Sequence, residues 1–184
     1  MTNTHWFTLL NKEFAGTSDR SCVIVAASII DHLLSEVLRA FLVPCANSQD
    51  TFFDGPTAPL GNFSSRIDFA HRLGLLGPQS AKDLHIIRKM RNEQAHSVEG
   101  RTFEDPGLKD QITQLVKSFD LQKRVPFLLK DPYDSVRGHF TIVAFMIVAH
   151  LDDLRKMMPS LKPLQSDPLY TTPYIDGGIQ EITT

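Results

Sequence analysis

The densest run of chemistry-bearing side chains lies between positions 85 and 96: His85, Arg88, Arg91, Asn92 and His96. On a helix turning ~100° per residue, His85, Arg88, Asn92 and His96 recur at steps of three and four and line one stripe. Imidazoles exchange protons near neutral pH and guanidinium groups hold anions, so the stripe can line a functional polar groove. It can also be a solvated face, with His96 near a helix C-terminus where the dipole favours its charged form.

Leu84, Ile87, Ala95 and Val98 fall on a second face of the same helix, and Arg91 projects into the middle of it. An arginine so placed is expected to be buried against a carboxylate, with Glu36, Asp31 or Asp68 as partners, or to open toward a cleft or a second subunit. As a buried anchor, Arg91→Ala strands its partner and costs about 3–5 kcal/mol. His96→Ala then costs on the order of 1 kcal/mol.

Chemistry is thinner elsewhere. His32 and His71 stand alone on helices, and Asp152-Asp153 reads as a solvated edge. Gly55 and Gly61 do not make a phosphate loop, and no Ser-His-Asp signature is present. Cys22 and Cys45 lack CxxC spacing, which argues against a zinc or redox motif; Cys22 reads as a buried thiol and Cys45 as a helix-end thiol. No cofactor or metal is expected.

The elements that must position these groups are helices. His5 to Phe14 carries Trp6, Phe7, Leu9, Leu10 and Phe14, and Gly16 ends it. Asp19 is a fit N-cap for a long helix to about Val43, stopped by Pro44. Residues 47–59 form a loop around Asp54-Gly55-Pro56. A third helix is expected from about Pro59 to Leu73, a fourth from Pro78 to about Ala95, a fifth from Asp105-Pro106 to Phe119 and a sixth from about Ser135 to Met158. Residues 121–133 are interrupted by Pro126 and Pro132. The prolines and glycines after Ser160 indicate an extended or disordered tail. The expected fold is all-α: a bundle of about six helices over 1–159, with 160–184 as C-terminal tail.

The 184 residues are 42% apolar and 22% charged, enough for one domain with its own core. A formal net charge of -2 gives no basic field for holding nucleic acid. No signal peptide opens the chain, and its apolar stretches are broken by Ser28, Asp31, His32 and Glu36 or end at His150 and Asp152. A cytoplasmic protein without membrane contact is the expectation.

Several segments together resemble the mannitol operon repressor family. They are Asp19-Arg20-Ser21 with the helix through Asp31-His32-Leu33-Leu34, then Phe53-Asp54-Gly55-Pro56, Pro59 to Ile67, Leu73-Gly74-Leu75-Leu76, and Ile87 to Ser97. The resemblance spans roughly the first two-thirds of the chain. It implies an all-helical protein tied to transcriptional repression in bacteria. No short helix pair with a basic recognition helix can be picked out. A co-repressor acting on a protein partner, such as a DNA-binding regulator, therefore fits better than direct base reading.

Arg91-Asn92-Glu93-Gln94-Ala95-His96 also resembles the Arg-polar-x-x-x-His pattern of HEPN-type helical domains. Many of those are metal-independent ribonucleases acting as dimers. That resemblance implies that Arg91 holds the scissile phosphate, Asn92 supports it, and His96 assists 2′-hydroxyl attack or protonates the leaving oxygen. Arg91 and His96 lie ~140° apart on a regular helix, so convergence needs arginine's length, a frayed helix end or pairing in a homodimer. Two expectations follow: a regulatory protein working through protein contacts, and alternatively an endoribonuclease or toxin with RNA as its partner.

Overall fold

The computed structural model describes residues 3–47, 49–130 and 132–163. Seven helices occur among them: α1 (Asn3–Phe14), α2 (Asp19–Phe41), α3 (Phe63–Arg72), α4 (Pro78–His96), α5 (Pro106–Ser118), α6 (Leu121–Arg124) and α7 (Val136–Met157). No strand occurs among the described residues. The all-α expectation holds. One short helix, α6, is added in the stretch interrupted by prolines; it follows Asp120, whose φ of 48° turns the chain sharply out of α5.

α2 and α7 form the centre. α2 packs against α7, α4, α3 and α1, while α5 lies on α4 and α7. The two central helices run in the same direction. At their N-terminal ends Arg137 reaches Asp19 at 2.6 Å, and beyond their C-terminal ends the Leu161 N–H donates to the Phe41 carbonyl at 2.7 Å. α2 is long and apolar enough to cross a membrane by length and composition. Here Cys22, Val23, Ala26, Ile30, Leu34, Val37 and Leu38 are core side chains instead. Phe140 of α7 joins Phe14 and Phe103 in a cluster of rings, with centroids 6.3 and 5.2 Å away.

Three local expectations are corrected. Ser18, not Asp19, caps α2: its hydroxyl accepts from the Ser21 N–H at 3.1 Å. That leaves Asp19 free for tertiary work, and its carboxylate accepts from the Phe103 N–H and from Arg137. α3 begins at Phe63 rather than Pro59, because the Asn62 side chain accepts from the Ser65 N–H and residues 50–61 are spent in turns. Asp152 is not at a solvated edge. Its side chain is fully buried, and it is held by Arg155 and Lys156.

Cys22 is buried and Cys45 exposed, and both are free thiols. Burial pushes the Cys22 thiol up, against a contact with the Thr17 hydroxyl at 3.3 Å that pulls it down. The tail expected over 160–184 falls, from Leu164 onward, outside the described residues.

Candidate functional site

α4 positions the polar stripe. Pro78 occupies its first turn, where a missing N–H does no harm, and the helix runs unbroken to His96. Its buried face is Ala81, Asp83, Leu84, Ile87, Met90 and Gln94. That face is centred roughly 40° away from the one expected, and the shift changes what each end of the helix does. Ala95 is exposed and Val98 is 95% exposed. Arg91, expected in a buried ion pair, is exposed, and its guanidinium donates to the neighbouring Asn92 side chain at 3.2 Å. Two of the carboxylates expected to meet it are taken: Asp31 by Arg66 at 2.6 Å and Asp68 by His85 at 3.1 Å.

Gln94 is a fully buried polar group on this helix. Its amide nitrogen donates to the Arg101 carbonyl at 2.8 Å and its oxygen accepts from the Arg101 N–H at 2.9 Å. This two-way clamp closes the turn after α4. The consequence reverses the sequence expectation for Arg91. Arg91→Ala should change stability by no more than about 0.5 kcal/mol, as for other exposed positions. Gln94→Ala should cost about 2 kcal/mol, because both backbone groups lose their partner. Chemical denaturation of the two variants checks the order. A destabilised Arg91→Ala beside an unchanged Gln94→Ala would overturn the helix placement described here.

The stripe opens onto a groove between α4 and α5 of about 860 Å³. His85, Arg88 and Asn92 line it; His96, the fourth expected member, does not. α5 contributes Gln114, Lys117 and Ser118 from the far wall. His85 bridges two neighbours: Nε2 meets Asp68 at 3.1 Å, and Nδ1 meets the Arg88 Nε–H at 3.4 Å. The tautomer with its proton on Nε2 satisfies both. At the floor, Asp83 is buried and accepts from Gln79 and from the Ser118 hydroxyl. Glu93 is engaged by Arg101 at 3.2 Å and more loosely by Lys89 at 3.8 Å.

Lys82, Lys89 and Lys117 are the groove cations that sequence reasoning passed over. Lys82 and Lys89 stand one heptad apart on the face that carries His85 and Arg88, a signal present in the sequence. Lys117 comes from another helix, and only packing brings it across.

Arg91 and His96 are both exposed, but no hydrogen bond joins His96 to Arg91 or Asn92 among the described residues. Within one chain they point in directions ~140° apart, so this geometry assembles no phosphate-cleaving pair by itself. Among the described residues, no group of three histidine, cysteine or carboxylate side chains gathers as a metal site.

No family model matches the sequence, and no curated protein matches it either. Among solved structures, the chain is similar to a chain in the X-ray structure of the MtlR-HPr complex from Escherichia coli. The TM-score is 0.58 at 16% identity, over 81% of this chain and 97% of that one. The likeness shows a shared fold. The resemblance drawn from the sequence segments thus has a counterpart in tertiary structure.

Proposed function

We propose that this protein is a bacterial transcription regulator of the co-repressor kind, working in the cytoplasm by binding another protein rather than by reading DNA bases. The observation that carries the reading is the shared fold: it covers nearly all of a chain found in complex with HPr. The surface agrees with it. The charged groove between α4 and α5 is a place to hold a partner. Calorimetric titration with purified HPr tests the reading, with a protein complex as the expected result. Titration with operator-length duplex DNA should give no binding by the chain alone.

The second reading is a metal-independent ribonuclease of the HEPN kind, and the exposure of both Arg91 and His96 favours it. It needs a homodimer to bring two α4 ends together. Incubating the protein with RNA in EDTA separates the readings. Cleavage that is lost together in Arg91→Ala and His96→Ala, with no HPr complex, would replace the first reading by the second.

A further inference from the structure

The groove between α4 and α5 has a charge balance unlike that of the whole chain. The chain carries a formal net charge of -2. Lining the groove, Lys82, Arg88, Lys89 and Lys117 face two carboxylates, Asp83 and Glu93. Both carboxylates are already occupied, as described above. Lys82, Arg88 and Lys117 have no ion-pair partner among the described residues, whereas Arg39, Arg66, Arg101 and Arg137 are each paired. Unpaired cations beside satisfied anions leave a surface that attracts negative charge.

Shape and composition narrow what brings that charge. Along α4 the groove runs from Gln79 to Glu93, a rise of ~21 Å. That suits a segment of chain better than a small metabolite. Lys82 and Lys89 are ~10.5 Å apart along the axis, close to the ~9.3 Å that three residues span in a polyproline II segment, where every third side chain returns to the same face. No Phe, Tyr or Trp ring lines the groove, and the His85 imidazole is engaged at both ring nitrogens by Asp68 and Arg88, so the groove offers no broad aromatic platform for successive nucleic-acid bases. Ile86 and the lysine stems supply an apolar floor for side chains between the charges.

We propose that the α4–α5 groove is the docking surface for an acidic segment of a partner protein, whose carboxylates are held by Lys82, Arg88 and Lys117. This rests on the regulatory reading above and names the surface that serves it. His85 keeps Arg88 in place: the imidazole accepts from the arginine Nε–H and is itself held by Asp68. The terminal guanidinium nitrogens remain for the incoming carboxylate.

The test uses the full chain and a fluorescein-labelled peptide with glutamate at every third position, beside the same peptide with glutamine. Fluorescence anisotropy should show binding of the glutamate peptide, weakening as salt is raised, and none of the glutamine peptide. In the double variant Lys82→Glu, Lys117→Glu the affinity should fall about tenfold or more. Both side chains are exposed, and an unchanged circular dichroism spectrum verifies the fold. Equal binding of the two peptides, or an unaffected double variant, overturns the proposal. So does displacement of the glutamate peptide by an oligouridine RNA that binds the same residues more tightly. HPr is titrated against the parent in parallel. If HPr binds while the glutamate peptide does not, the groove assignment fails and the regulatory reading stands.

Discussion

Replacing Asp152 by asparagine should lower the melting temperature by roughly 5–10 °C, corresponding to about 2–3 kcal/mol in a domain of this size. The carboxylate is fully buried on α7 and receives Arg155 at 2.9 Å and Lys156 one turn on. Burial alone raises a carboxyl pKa. Here hydrogen bonds from Lys156 and Arg155, with the polar edge of the Trp6 indole beside them, outweigh it and hold the group well below the usual aspartate range. Arg155 and Lys156 are each more than a third exposed, so water compensates part of their loss, and the figure stays under the full cost of breaking a buried pair. The sign in pH follows. A carboxyl whose folded pKa is depressed contributes stability that is complete above its unfolded value, ~3.9, and is lost as pH falls through the folded one. The parent should therefore lose stability on acidification below about pH 5, and Asp152→Asn should show a shallower acid limb. Thermal melts of both proteins between pH 7 and pH 2.5 check this. Parallel acid limbs would mean that Asp152 is not the group described.

A second large effect is expected at Gly138, in the first turn of α7. A Cβ there would lie 2.5–2.6 Å from the Cα, carbonyl carbon and carbonyl oxygen of Tyr133. Those are backbone atoms, which cannot rotate aside. The turn is also tied down: the Tyr133 hydroxyl donates to Asn11 at 2.8 Å, and the Gly138 N–H donates to the Ser135 hydroxyl that caps α7. Alanine is the better helix former by about 1 kcal/mol, yet Gly138→Ala should destabilise by about 3 kcal/mol, because the clash exceeds the propensity gain. Gly107→Ala provides the opposite control. Its Cβ would meet only the flexible end of Arg101 at 3.5 Å, and stability should rise by about 0.5 kcal/mol. Denaturant midpoints of the two variants should move in opposite directions. A Gly138→Ala protein as stable as its parent would show that the chain entering α7 is not seated against it.

Much of the architecture was legible in one dimension. Apolar residues recurring at helical spacing, with Pro44, Gly74, Pro78 and Pro106 as punctuation, are local signals, and they led to the all-α fold and to six of the seven helices. Boundaries slipped where two neighbours compete for one role. Ser18 and Asp19 can each cap α2, and the choice is made by Phe103 and Arg137, which claim the aspartate from 84 and 118 positions away. Asn62 took the start of α3 from Pro59 because the preceding residues close on themselves in turns.

The polar stripe of α4 was visible for the same reason as the helices: helical periodicity places His85, Arg88 and Asn92 in a row whatever surrounds them. What the periodicity could not decide is which face of α4 meets the core. A pattern of apolar residues placed Arg91 inside and ignored Gln94. The tertiary structure does the reverse, because a glutamine whose amide meets both backbone groups of Arg101 loses little on burial, while an arginine without a free carboxylate nearby loses a great deal. The same holds for Asp152, which reads as surface until Trp6 and its own helix enclose it. Lys117 belongs to the groove only because α5 folds back beside α4. The sequence determined the helices and their polar rows, since those depend on neighbours within a turn or two. Burial, pairing and the groove were decided by the tertiary structure, since each depends on a partner that the chain delivers from far away.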